Sequence, residues 1–190
     1  MTEDTLLSPD VLRDAEERAR ELIRCGFQEA DEIAESLVDF LDDQGLTEEQ
    51  AARIVAPLWQ QQLAEQAGWP AVTDVDRLVE AFDALEDSGI VTAMDFTCCS
   101  SCGYAEIGGE AEESSRGFVF FHEQDTERAA AGGGLMLRYG GFRGSAQETT
   151  RIGHAVVAAL GEAGLAVRWS GSPDEAITVA PLEWLHRLPE

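Results

Sequence analysis

The 190-residue chain contains no lysine and no asparagine, and its 13 basic residues are all arginine. Each absence removes a class of chemistry. Without lysine there is no Schiff base, no pyridoxal-phosphate anchor and no P-loop lysine. Without asparagine there is no N-glycosylation acceptor and no Cys-His-Asn triad. Long hydrophobic runs are missing too, since none approaches the roughly 18 residues of a membrane span. The opening residues Met1-Thr2-Glu3-Asp4 are acidic and lack the basic start and apolar stretch of a secretory signal. No Gly-x-Ser-x-Gly elbow occurs, so a hydrolase triad has no support. The expectation is a cytoplasmic protein whose four cysteines are reduced.

Positive charge is scarce in general. The chain carries 37 acidic residues and a net charge of -24. Such a surface repels phosphate backbones and anionic headgroups, which argues against nucleic acid and membrane partners. The imbalance is concentrated toward the N-terminus: 23 acidic against 6 basic residues up to position 90, then 14 against 7. A solvated helical surface accounts for this; a protein partner docking on the acidic helical half is the sharper alternative.

The first 90 residues read as four helices. The first starts at Ser8-Pro9, with serine as N-cap and proline at the first helical position, and stops at Gly26. The second spans about 28 to 44 and is ended by Gly45. Thr47 and Gln50 form a capping box at the start of the third, which Pro57 is expected to kink. The fourth begins at Thr73 or Asp74 and stops at Gly89. Apolar residues recur at core spacing on each, so none of them is assigned a function. Cys25 reads as a small buried apolar residue.

The texture changes at Ile90. Strands are expected over 90–97, 117–121, 135–139, 165–170 and 177–179, with helices near 104–113, 123–131 and 146–163. Strands alternating with helices imply an α/β or α+β layer: a mostly parallel sheet with flanking helices, on which the N-terminal helices pack. The turn at Gly171–Asp174 makes the last strand antiparallel. The expected division is a helical domain over 1–89 and an α/β domain over 90–190.

Chemistry concentrates in two segments. Phe96-Thr97-Cys98-Cys99-Ser100-Ser101-Cys102-Gly103 follows the first strand, and His122-Glu123-Gln124-Asp125-Thr126 follows Gly117-Phe118-Val119-Phe120-Phe121. Together with Gly164-Leu165 to Trp169, these segments resemble a bacterial family catalogued as a domain of unknown function, number 6891. The resemblance covers most of the C-terminal half and part of the fourth helix. It implies that the segments belong to one recurring architecture, and it carries no activity.

If the first two strands are parallel neighbours, both segments emerge at the same edge of the sheet, where open α/β sheets place their sites. The loop after the third strand would bring Arg143 there as well, with Asp125 a further neighbour. Three readings follow. In the first, Cys98, Cys99, Cys102 and His122 bind zinc, because thiolate and imidazole are its preferred ligands and C-x-x-C lets two thiolates reach one ion. In the second, Cys99 and Cys102 form a thiol–disulfide redox pair between a strand and a helix start. In the third, the thiols are buried and inert, and the protein is an interaction module.

Overall fold

The computed structural model describes residues 7–189. The chain forms two compact units: one runs to Trp69 and takes in the chain end from His186, and the other is Pro70–Leu185.

In the first unit, α1 (Pro9–Cys25), α2 (Ala30–Phe40) and α3 (Glu48–Gln66) start where their caps dictate. Ser8 Oγ accepts from Val11 N at 3.3 Å, and Thr47 and Gln50 exchange bonds in the expected box. Gly26 ends α1 at φ +83°, a left-handed position where a Cβ would also lie 2.4 Å from His186 Nδ1. The second helix is shorter than expected: α2 stops at Phe40, and a 3-10 turn over Asp42–Gln44 carries the chain to Gly45. Pro57 sits inside a continuous α3. The core is aliphatic, built on Ala15, Ala19, Ile23, Ile33, Leu37 and Val55, all at most 2% exposed. Each large one contributes roughly 1.5–3 kcal/mol by leaving water.

The second unit opens with α4 (Asp74–Asp87), capped by Thr73 and Asp76. A five-stranded sheet follows: β1 (Ile90–Ala93), β2 (Gly117–Phe120), β3 (Leu135–Gly141), β4 (Val167–Arg168) and β5 (Ile177–Val179), in the order β1-β2-β3-β5-β4. Between them lie α5 (Ser100–Glu106), α6 (Glu123–Ala130) and α7 (Ala146–Glu162). The helical start and mixed α/β character are as expected, and no strand precedes Ile90 among the described residues.

The sheet itself corrects the expectation of mostly parallel strands. Only β1 and β2 pair in parallel; β2–β3, β3–β5 and β4–β5 are antiparallel. The cause is α6. Its 8 residues turn the chain back into β3 from the end of the sheet that β2 has just reached, so β3 runs the other way. A parallel return needs a crossover along the sheet.

Register assigns the faces. Phe121 meets Phe82 of α4, and a Cβ on Gly117 would strike Ile152 of α7, so α4 and α7 share the face of residues 117, 119 and 121. Phe118 and Phe120 point to the other face, where α5 lies close enough for a Cβ on Gly103 to fall 2.3 Å from the Phe120 ring. Arg138 pairs with Phe120 across β2–β3 and therefore shares the α5 face. Among the described residues, no helix is long and apolar enough to cross a membrane.

Candidate functional site

Because β1 and β2 are parallel, the segments that follow them leave the same end of the sheet and stay side by side. Phe96 N donates to Phe121 O at 2.9 Å, Phe121 N to Ala93 O at 3.3 Å, and Glu123 N to Thr97 O at 3.1 Å. This stitching joins the two sequence motifs. The antiparallel β3 undoes the third expected contribution: the loop after it, which carries Arg143, emerges at the opposite end. Arg138, inside β3 and across from Phe120, takes that place.

The cysteine segment is reached through strained backbone. Asp95 has φ +52° and Thr97 φ +62°. Aspartate tolerates this region, but a β-branched threonine there is an outlier that its surroundings must hold. Thr97 is held by the bond from Glu123 N and by donation from its own Oγ1 to Cys99 O at 3.2 Å. Cys99 is the N-cap of α5, in extended conformation, and Cys102 lies in its first turn. The sulfurs of Cys98, Cys99 and Cys102 all lie within 4.8 Å of one another, with Cys98 Sγ 3.6 Å from Cys102 Sγ. No disulfide joins them. Cys98 is exposed and the other two are half-buried, so these thiols are not core packing; Cys25 is the buried one.

The three thiols are not equivalent. The Cys102 amide, then the Cys102 and Cys98 thiols, then the Ser101 amide, hold the Cys99 thiol below its ordinary value. The neighbouring sulfurs of Cys98 and Cys99 push Cys102 up to about 11. Sharing protons this way is what thiols crowded into one group do, and a cation among them would relieve it.

His122 is not in the sulfur group. It is 3% exposed, and its Nε2 lies 3.0 Å from Oδ2 of Asp125, which is fully buried. Arg128 Nη1 and Arg138 Nη2 each stand 3.5 Å from Asp125 Oδ1. Burial, opposed by the Asp125 charge, lowers the His122 pKa, so the ring is neutral at pH 7. Nε2 also lies 3.5 Å from Arg138 Nη2, which can only donate, so this nitrogen stands between a guanidinium and a carboxylate. The contact is bent, and Asp125 Oδ2 has no aligned donor; His122 Nδ1 and Arg138 Nη1 are buried without a hydrogen-bond partner. Asp95 adjoins this cluster, accepting from Thr126 Oγ1 at 2.5 Å. Burial raises its carboxyl to about 6.

Residue reading missed Asp95, Thr126 and Arg138. Arg138 carried a signal, being the one charged residue in the otherwise apolar and glycine run Leu135–Gly141.

A family model described as Domain of unknown function (DUF6891) matches residues 8–188, nearly the whole chain. The protein belongs to this family. The match takes in both compact units of the DUF6891 chain, a wider span than the C-terminal motifs alone suggest. No curated protein and no solved structure matches it.

Proposed function

We propose that this DUF6891 protein is a zinc-binding protein whose Cys98, Cys99 and Cys102 thiolates hold the ion at the surface, as a structural or regulatory centre. The observation that carries the reading is the sulfur spacing. Zn–S bonds of about 2.3 Å in a tetrahedron put sulfurs about 3.8 Å apart. The Cys98–Cys102 separation is 3.6 Å, and the third sulfur stays within 4.8 Å of both. Adjacent cysteines in a straight strand would point to opposite sides. Here the left-handed turn at Thr97 and the helix start at Cys99 bring them to one side. A soft thiolate set selects zinc or a similar ion over magnesium or calcium.

Elemental analysis of the purified protein, paired with thiol titration, tests this. One zinc per chain with three protected thiols is expected, and Cys102→Ser should weaken binding by roughly 10²–10³, the share of one ligand in a four-ligand site. Metal-free protein that takes up no added zinc when reduced refutes it. Thiol–disulfide exchange is the second reading, supported by the 3.6 Å contact of Cys98 and Cys102, a different pair from the expected Cys99 and Cys102. Reversible loss of two thiols on oxidation, with no zinc uptake, would favour that reading instead.

A further inference from the structure

We infer that the zinc centre is open: the chain supplies three thiolates, and the fourth position faces solvent, where it takes a small neutral nitrogen donor in exchange for water. The inference rests on the zinc reading. Zinc held by four protein ligands is closed, whereas three protein ligands leave a place for water or an incoming molecule. Cys98, Cys99 and Cys102 form the group, and no histidine, carboxylate or further cysteine among the described residues joins it. His122 is 3% exposed, and its Nε2 stands between Asp125 Oδ2 and Arg138 Nη2.

The floor under the cysteine segment offers no donor atom either. Phe96, at the start of the segment, packs edge-on against Phe120 with ring centroids 6.0 Å apart. Gly103, at its end, lies so close to the same ring that there is no room for a Cβ. Ile107 and Phe118 extend this apolar layer. Both ends of the segment therefore rest on hydrocarbon. Cys98 is exposed and Cys99 and Cys102 are half-buried, so the sulfurs meet solvent. An ion held by these three sulfurs, with hydrocarbon behind the segment, turns its remaining position toward water.

Charge selects the incoming ligand. A divalent ion with three thiolates is a monoanion, and the chain around it has a net charge of -24. An anionic ligand is repelled by both, while a neutral donor meets no such penalty. Among neutral donors, the imidazole nitrogen is one that zinc prefers.

Cobalt(II) is the probe, added to the reduced full chain in thiol-free buffer and read by its visible absorption. The wild-type complex should show three thiolates and one oxygen, and 1-methylimidazole should shift the spectrum, saturating at one per cobalt. Imidazol-1-ylacetate offers the same donor nitrogen with a remote carboxylate. It should bind about threefold more weakly at low salt, the effect of one unit charge on another at roughly 6 Å in water. His122→Gln keeps a polar side chain in the buried place and should leave both the resting spectrum and the response unchanged. A wild-type spectrum that 1-methylimidazole leaves unmoved, or a resting spectrum altered in His122→Gln, overturns the inference while the zinc reading stands, because metal has still bound. Equal or tighter binding of imidazol-1-ylacetate overturns the preference for a neutral donor. If wild type takes up neither cobalt nor zinc, the zinc reading falls and the open position with it.

Discussion

The helical unit closes its core with alanine and branched aliphatic side chains, Ala15, Ala19, Ile33 and Leu37 among them, whereas the sheet unit also buries His122, Asp125 and Thr126 at one end of its strands. The other buried polar side chain among the described residues, Thr73, also belongs to the sheet unit and has an evident structural task, capping α4. The three at the strand ends make contacts of their own: Thr126 Oγ1 donates to Asp95, and Asp125 stands among His122, Arg128 and Arg138. Apolar side chains of similar volume would fill the same space at lower cost in desolvation, as the helical unit demonstrates within the same chain. The sheet unit therefore carries, at the strand ends that lead to the accessible thiols, a buried polar cluster for which the helical core has no counterpart among the described residues.

The comparison can be broken first by separating stability from the site. Leu37 is fully buried in the helical unit. Leu37→Ala should lower stability by about 2–5 kcal/mol, depending on how far the cavity collapses. Chemical denaturation measures the loss. Zinc uptake and thiol reactivity of the folded variant should be unchanged, and a parallel loss of uptake would mean that the site depends on both units.

A smaller effect is expected from the wall between the sheet and α5. At Gly103 an added Cβ would lie 2.3 Å from Cε2 of Phe120, a ring with no exposure of its own. Gly103→Ala must push α5 off the sheet, at a cost of about 1–3 kcal/mol. Cys102 is the preceding residue, so zinc affinity should fall at least about tenfold in the same variant. Unchanged affinity would show that α5 does not position the sulfurs.

The smallest effect concerns Asp95, and its sign follows from its pKa. The folded value of about 6 lies above the ordinary 3.8, so the folded chain holds this proton more tightly than the unfolded one. The associated stability is complete below about pH 4 and is lost as pH rises through about 6. Asp95→Asn keeps an oxygen to accept from Thr126 and removes the titration. The variant should therefore lose less stability than wild type between pH 4 and 7. A difference on the order of 1–2 kcal/mol is expected, since the carboxyl remains partly solvated. Parallel stability–pH curves for the two proteins would show that the loop carries no such charge penalty.

Much of the fold was legible because it is set locally. Ser8, Thr47 and Thr73 mark helix starts through bonds to amides three residues away, and Gly26 marks an end because it tolerates positive φ. The same locality gave the hairpin between β4 and β5. Strand direction is not local. Gly117–Phe120 is buried on both faces, the pattern of a parallel strand, yet it is parallel to β1 and antiparallel to β3. Arg143 was misplaced by that one reversal, and Arg138 was overlooked for the same reason.

The residue types at the site, three thiols at close spacing and a histidine three residues before an aspartate, were determined by the sequence alone, as was the helical character of the described residues up to Asp87. Tertiary structure decided the rest. The parallel pairing of β1 with β2 put the two motifs side by side, and the reversal of β3 supplied Arg138 in place of Arg143. Folding buried His122 and Asp125 together, with Nε2 3.0 Å from Oδ2. The reason is that helix caps and turns are satisfied by neighbours in the chain, while strand pairing, burial and the orientation of an imidazole depend on residues tens of positions apart, whose meeting no local pattern records.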